Sequence, residues 1–282
     1  LIYPKIFIFP LGGNNSEVFS FSSLIWFNCT SNPKVECPYE LDGIIYTGIN
    51  QKYTKEKKEQ KYSIYKYKPP EENSIDVFIK FELNKDTGKY MDIFDNSIPG
   101  KLDYTNFRVT NFYVGNRSGS AEVPIPFMPE INNDQVYLPI VDGQVRDLNG
   151  DIILDNTVIE VVYNNISDIP HQYRWSVLKT RWDKTDSVNR FQKRYGNYND
   201  IAISVWKSMT EAVTIEEINN LACPQNYDSQ IKILSSRLTS SIISSQKKQD
   251  VYYQKITNLC KKMRDYHNWI KSALVYTYCS PN

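Results

Sequence analysis

The hydrophobic pattern of this chain changes its period near Asp183, and this change constrains the fold more than any other feature of the sequence. Before that point, β-branched and aromatic residues form short runs that end at Gly, Pro, Asn and Ser turn signals, as is typical of strands. We predict strands over these runs: Ile6–Phe9, Val18–Trp26, Gly43–Tyr46, Tyr62–Tyr67, Ile75–Phe81 and Val158–Tyr163. Several short strands at this spacing favour a small barrel or sandwich.

Beyond Asp183 the apolar residues recur at the spacing of a helix. Helices are predicted over Asp186–Tyr195, around Ile201, Val205 and Met209, after the capping-box match Thr214–Glu217, and over Lys247–Ala273. The whole chain is therefore predicted to be α+β: mostly β, followed by a helical C-terminal segment.

Length and composition exclude several classes of protein. A chain of 282 residues suggests about two domains. Its 33 Lys and Arg residues against 32 Asp and Glu residues exclude a globally basic nucleic-acid binder. No stretch approaches the roughly 20 apolar residues of a membrane span, so we expect no membrane partner. Five cysteines without a C-x-x-C pair favour a reducing, intracellular compartment over a disulfide framework or zinc module.

Two carboxylates stand two positions apart at Glu40 and Asp42, just before Gly43. Residues two apart in a strand share one face, and paired carboxylates suit a hard divalent cation such as Mg²⁺. A polar strand face that ends in an Asp-Gly turn explains the same residues, so both interpretations stay open.

Two lysines show the same spacing at Lys66 and Lys68, with Tyr65 and Tyr67 on the opposite face of the predicted strand. Two ammonium groups on one face can hold a phosphate through charge-assisted hydrogen bonds. The alternative is a solvated surface strand in a lysine-rich neighbourhood.

A third charged segment contains Lys179, Arg181 and Asp183, which alternate onto one face of a predicted strand, with Lys184 where that strand gives way to a loop and helix. Arg181 could hold phosphate oxygens bidentately, and Lys184 would add a point charge. A salt-bridge cluster at a strand end would have the same residues.

Taken together and in this order, the three segments resemble the later signature motifs of the mRNA capping guanylyltransferases. Tyr67–Asp76 and Arg181–Arg190 are similar to the versions found in capping enzymes of large DNA viruses. The stretch Met263–Ser272 resembles the leading helix of the cap guanine-N7 methyltransferases.

The resemblance implies a domain order and a reaction. Residues 1–72 would be the C-terminal part of a nucleotidyltransferase domain, 73–196 an OB-fold lid, 197–240 a helical linker, and 241–282 the leading helix of a methyltransferase domain. In this family GMP passes from GTP, through a covalent lysyl-GMP, to the diphosphate end of RNA. Partners implied are GTP, the 5′ end of nascent mRNA, and a stimulating subunit or RNA polymerase.

By the same resemblance, Asp42 with Glu40 would bind Mg²⁺ or Mn²⁺, and Lys66 and Lys68 the α-phosphate region. Arg181 and Lys184 would grip the outer phosphates. Asp183 would orient these neighbouring side chains and would not react itself. The resemblance to the methyltransferase helix implies that Asn268 and Lys271 would lie near S-adenosylmethionine as cofactor-binding residues.

One departure from the family concerns the nucleophile, because the sequence contains no Lys-x-Asp-Gly. Its two Asp-Gly pairs begin at Asp42 and Asp142, and the residues two positions before them are Glu40 and Ile140. We therefore expect a segment of a longer polypeptide that is inactive alone, in the host cytoplasm or the virion. Two alternatives stay open: a non-catalytic accessory or RNA-binding subunit, in which tyrosines such as Tyr113 and Tyr137 would stack on bases, and an ATP-dependent polynucleotide ligase.

Overall fold

The computed structural model describes residues 7–35, 37, 40–52, 61–62, 64–98, 104–127, 135–166, 168–240, 254, 258 and 261–262. Its strands are β1 (Ile44–Tyr46), β2 (Tyr65–Tyr67), β3 (Ile75–Phe81), β4 (Asp92–Phe94), β5 (Asn106–Ser118), β6 (Ala121–Pro126), β7 (Gln135–Val141), β8 (Gln144–Val145), β9 (Val158–Tyr163) and β10 (Trp175–Thr180). Its α-helices are α1 (Glu17–Thr30), α2 (Trp182–Phe191), α3 (Asn199–Thr210) and α4 (Ile215–Ala222), followed by helical residues 224–240.

Eight of these strands form one antiparallel sheet. Along the sheet the order is β10-β9-β3-β5-β7-β8, and β4 and β6 also pair with the long strand β5. The backbone N–H of Leu148, just beyond edge strand β8, donates to the carbonyl oxygen of Val177 in the other edge strand, at 3.1 Å. The sheet therefore curls until its two edges meet, which gives a barrel-like body.

The core lies inside this curl. Strand β3 directs Ile75, Val77 and Ile79 into this core, where they are fully buried. On its other face Phe78 is buried in a separate cluster and Lys80 is exposed. Helix α3 contributes Ala202, Trp206 and Met209 to the same core. The indole rings of Trp206 and Trp175 stack with their centroids 5.5 Å apart.

Two compact units divide the chain. The larger contains Ser22–Ile218, and the smaller contains Pro10–Phe21 together with the described residues from Asn219 onward. Within the smaller unit, the Ser20 hydroxyl donates to the carbonyl oxygen of Ala222 at 2.9 Å. The predicted α+β class is confirmed, whereas the four domain boundaries and the OB-fold assignment stay predictions. None of the described helices is both long enough and apolar enough to span a bilayer.

The strand predicted over Val18–Trp26 is wrong, because helix α1 occupies this segment. The alternation of Phe and Ser there imitates the period of a strand, but the chain before it supplies a helix start. The Asn14 side chain accepts a hydrogen bond from the Ser16 N–H at 2.9 Å, and the Glu17 carboxylate accepts one from the Gly12 N–H at 2.8 Å. No strand forms at 7–9 either, and the earlier part of Ile6–Phe9 lies outside the described residues.

The later elements agree better with the sequence. The Thr214–Glu217 capping box is confirmed, since the Thr214 N–H donates to the Glu217 carboxylate at 2.9 Å and the Glu217 N–H to the Thr214 hydroxyl at 3.2 Å. The helix around Ile201 is confirmed as α3. Strand Tyr62–Tyr67 is shorter than predicted, since β2 begins at Tyr65. The helix predicted over Lys247–Ala273 lies outside the described residues except for 254, 258 and 261–262, which are helical.

Candidate functional site

The first charged cluster forms where the segment before β1 approaches β2. The Lys66 ammonium lies 2.6 Å from Oδ2 of Asp42, and the Lys68 ammonium lies 2.8 Å from its Oδ1. Both lysines therefore point to one face of the β1–β2 ladder, as their spacing predicted, and they meet on the predicted carboxylate. Gly43 permits this approach: its φ is +119°, and a Cβ there would come within 2.2 Å of the Tyr67 carbonyl oxygen.

Electrostatically, this cluster is a neutralised carboxylate at the surface. Hydrogen bonds from Lys66, then Lys68, lower the pKa of Asp42 to about 2. The Asp42 side chain is 71% exposed, so a ligand can reach the cluster without a change in the core.

The pairing of Glu40 with Asp42 on a strand face is wrong. The segment before Ile44 is not a strand, so period-two alternation does not apply there, and Glu40 is exposed with no described contact to Asp42. Within the described ranges, no group of three or more His, Cys, Asp or Glu side chains could hold a metal ion. Asp42 alone still fits Mg²⁺, because proteins bind Mg²⁺ through one or two carboxylates and leave its other positions to water and substrate phosphates.

The second charged cluster centres on Asp76 of β3. Its Oδ2 accepts hydrogen bonds from the Arg181 guanidinium at 2.6 Å and from the Lys184 ammonium at 2.5 Å. Arg181 also forms a bidentate pair with Asp183, through Nε at 3.2 Å and a terminal nitrogen at 3.3 Å. The structure thus brings Arg181, Asp183 and Lys184 together, as predicted.

The backbone that carries these residues differs from the prediction. Strand β10 ends at Thr180, so Arg181 is the N-cap of α2 and Asp183 lies in the helix's first turn. Residues 179, 181 and 183 therefore do not share a strand face, and α2 begins earlier than the predicted Asp186. A carboxylate in a first helical turn interacts favourably with the helix dipole, which is consistent with this position for Asp183.

Charge and burial differ within this cluster. Burial opposes the charge of Arg181, but its hydrogen bonds to Asp183 and Asp76 raise its pKa above the usual value. The Arg181 hydrogen bond in turn lowers the pKa of Asp183. Asp76 is buried, with its side chain only 9% exposed, and its Oδ1 has no hydrogen-bond partner among the described residues.

A tight turn after α2 holds Asp76 in register. The Asn197 N–H donates to the Asp76 carbonyl oxygen at 2.7 Å, and the Asp76 N–H donates to the Asn197 side chain at 2.8 Å. Gly196, with φ +93°, lets the two backbones meet, because a Cβ there would lie 2.2 Å from the Asp76 carbonyl oxygen.

Asp76 is the residue whose role sequence reasoning missed. Its signal was a lone carboxylate in an otherwise apolar strand, Ile75-Asp-Val-Phe-Ile, which requires a buried partner. Tyr137 is partly buried, and its ring packs edge-on against Tyr173 with the centroids 5.0 Å apart. Asn268 and Lys271 lie outside the described residues.

The sequence of this chain matches that of a viral protein over nearly its whole length. Over 280 residues it is 36% identical to a "Probable mRNA-capping enzyme" of Acanthamoeba polyphaga mimivirus, and the match covers 98% of this chain. This chain is similar to a segment of a viral mRNA-capping enzyme. The resemblance that the motifs predicted is thereby confirmed. The match covers 23% of the relative's own length, and no protein-family model matches the chain.

Proposed function

We propose that this chain supplies the phosphate-binding half of an mRNA 5′-capping guanylyltransferase. The observation that carries the proposal is that two pairs of cations converge, one pair on Asp42 and one on Asp76. The motif resemblance implies that these same cations bind the inner and outer phosphates of GTP. The similarity to a protein named as a probable mRNA-capping enzyme supports the same conclusion.

In the proposed reaction, a lysine amine attacks the α-phosphorus of GTP, and the bond to pyrophosphate breaks. An oxygen of the RNA 5′-diphosphate then attacks the lysyl-GMP phosphorus and releases the lysine. This sequence has no Lys-x-Asp-Gly, so the nucleophile would come from another part of the enzyme. The residues of this chain bind and orient phosphates.

Each cluster has a separate role in this proposal. Lys66 and Lys68 would exchange Asp42 for oxygens of the α-phosphate, while Asp42 would hold Mg²⁺ or Mn²⁺, which draws charge from the phosphates. Arg181 and Lys184 would leave Asp76 for the outer phosphates and so stabilise the departing pyrophosphate. Asp183 would keep the Arg181 fork in position. Fusion to guanine-N7 methylation, with S-adenosylmethionine near Asn268 and Lys271, rests on the motif resemblance alone.

The test is calorimetric binding of Mg²⁺·GTP and Mg²⁺·ATP to the full chain. Removing both Arg181 and Lys184 would leave the buried Asp76 carboxylate unpaired and could unfold the protein. We therefore compare D76N with D76N/R181Q/K184Q, a pair with the same neutral residue at position 76. The expected result is GTP affinity at least about tenfold weaker in the triple variant, because two charge-assisted hydrogen bonds are lost.

Equal affinity in the two variants would contradict this role and favour the accessory-subunit alternative. Tighter binding of ATP than of GTP would favour a polynucleotide ligase. As a control for folding, circular dichroism of both variants should match the unsubstituted chain.

A further inference from the structure

A cluster of aromatic rings covers part of the outer face of the sheet, beyond Asp76 on the same strand. Phe78 lies at its centre, with the rings of Tyr195 and Tyr113 at centroid distances of 5.4 and 6.3 Å. The Lys80 ammonium lies over Phe78 and Tyr113, 5.9 and 5.6 Å from their centroids. A cation thus already rests on the rings.

Three more cations lie in the chain within five residues before Tyr195, at the end of α2 and in the turn after it. Arg190 is in the last turn of α2, Lys193 and Arg194 follow it, and all three are exposed. Two non-glycine residues in this turn, Gln192 and Arg194, adopt left-handed backbone conformations with φ 53° and 64°. Gln192 ends α2 as its left-handed C-cap, and its N–H donates to the carbonyl oxygens of Ser187 and Val188.

A fifth cation approaches from the β5–β6 hairpin. Arg117 is exposed, and in the register of β5 and β6 its backbone lies opposite that of Glu122. The Glu122 carboxylate is engaged elsewhere, since it accepts hydrogen bonds from the Tyr195 N–H at 2.9 Å and the Tyr198 hydroxyl at 3.3 Å. We call Lys80, Arg117, Arg190, Lys193 and Arg194 the basic surface.

Among the residues that the structure describes, none of the five cations forms an ion pair, whereas Lys66, Lys68, Arg181 and Lys184 all do. Two aromatic rings near these cations in the sequence are accessible: Phe191, between Arg190 and Lys193, is 67% exposed, and Tyr198 is 45% exposed. Unpaired cations interleaved with accessible rings provide phosphate contacts and platforms for base stacking.

We propose that the basic surface binds single-stranded RNA just downstream of the 5′ end on which the enzyme acts. The direction rests on the proposed function: after pyrophosphate has left Arg181 and Lys184, the 5′-diphosphate of the RNA would take its place there to attack the lysyl-GMP phosphorus. Asp76 and Lys80 lie on the same outer face of β3, so the two sites are about 13 Å apart along the strand at 3.3 Å per residue. Phe78 between them is only 4% exposed and packs against Val188 of α2, so an RNA whose end reaches the Asp76 cluster would pass over the end of α2 and the turn after it to Lys80.

The test is fluorescence anisotropy with a labelled 12-nucleotide RNA that carries a 5′-hydroxyl, so that binding does not depend on terminal phosphates. In K193A/R194A the affinity should fall about tenfold, and the slope of log affinity against log salt should become shallower by about 1.4. In F191A the affinity should fall about fivefold or more, because a stacking platform is lost. The matched control is K34A/K207A, which removes two exposed lysines outside the surface and should leave affinity unchanged.

Equal affinity in K193A/R194A and the unsubstituted chain would overturn the proposal, and so would equal losses in K193A/R194A and in the control. Competition by a polyglutamate peptide at the same concentration as unlabelled RNA would also overturn it, in favour of an acidic protein partner. GTP binding should be unchanged in K193A/R194A. Failure of this inference would therefore leave GTP binding intact, whereas failure of the proposed function would appear in GTP binding alone.

Discussion

Asp42 receives a lysine on each of its two carboxylate oxygens, and this arrangement has a measurable consequence. Because the Lys66 and Lys68 hydrogen bonds lower its pKa to about 2, Asp42 should titrate well below the usual value of about 3.9. Its contribution to stability is then complete above about pH 4 and is lost as the pH falls towards 2. In K66M/K68M, carboxyl NMR should show the midpoint of Asp42 rising towards about 3.9.

Asp183 is the internal control for that titration, because the hydrogen bond from Arg181 is the main cause of its lowered pKa and neither Lys66 nor Lys68 contributes. Its midpoint should stay low in K66M/K68M. A midpoint near 3.9 for Asp42 in the unsubstituted chain would contradict the paired arrangement.

At the scale of secondary-structure elements, the turn between α2 and α3 fixes β3 by backbone contact. In G196A the new Cβ would meet the Asp76 carbonyl oxygen at 2.2 Å, and the backbone would keep φ +93°. Urea denaturation should show the free energy of unfolding reduced by about 2–4 kcal/mol. G143A is the matched control: Gly143 has φ +78° but no atom within 4 Å of a Cβ, so its loss should be about 1 kcal/mol. Equal losses would show that the close approach contributes nothing.

The same elements show what a single sequence can predict. Lys66 and Lys68 were placed correctly because period two needs only one extended strand, and Asp42 joins them through a short local ladder. Helix α1 was mistaken for a strand because Phe and Ser alternate over a few residues, and the cap that decides it lies outside that pattern. The partners of Asp76 could not be predicted, since Arg181 and Lys184 are more than a hundred positions away in the chain. They meet Asp76 only when β10 pairs with β9 in the sheet and α2 packs against it.

At the scale of the whole molecule, the curl of the sheet depends on what fills it. Trp206 of α3 is 6% exposed, stacks on Trp175, and lies edge-on to Tyr163 at 4.6 Å. In W206A the cavity should cost about 3–5 kcal/mol of unfolding free energy. The backbone amide of Leu148, which joins the two edges of the sheet, should exchange its hydrogen faster if this core holds the edges together.

The control variant F191A removes an exposed ring and should change stability by no more than about 0.5 kcal/mol. Unchanged Leu148 exchange in a destabilised W206A would mean that the edges close independently of the core, and that the outer face carrying Asp76 and Lys80 keeps its shape without α3.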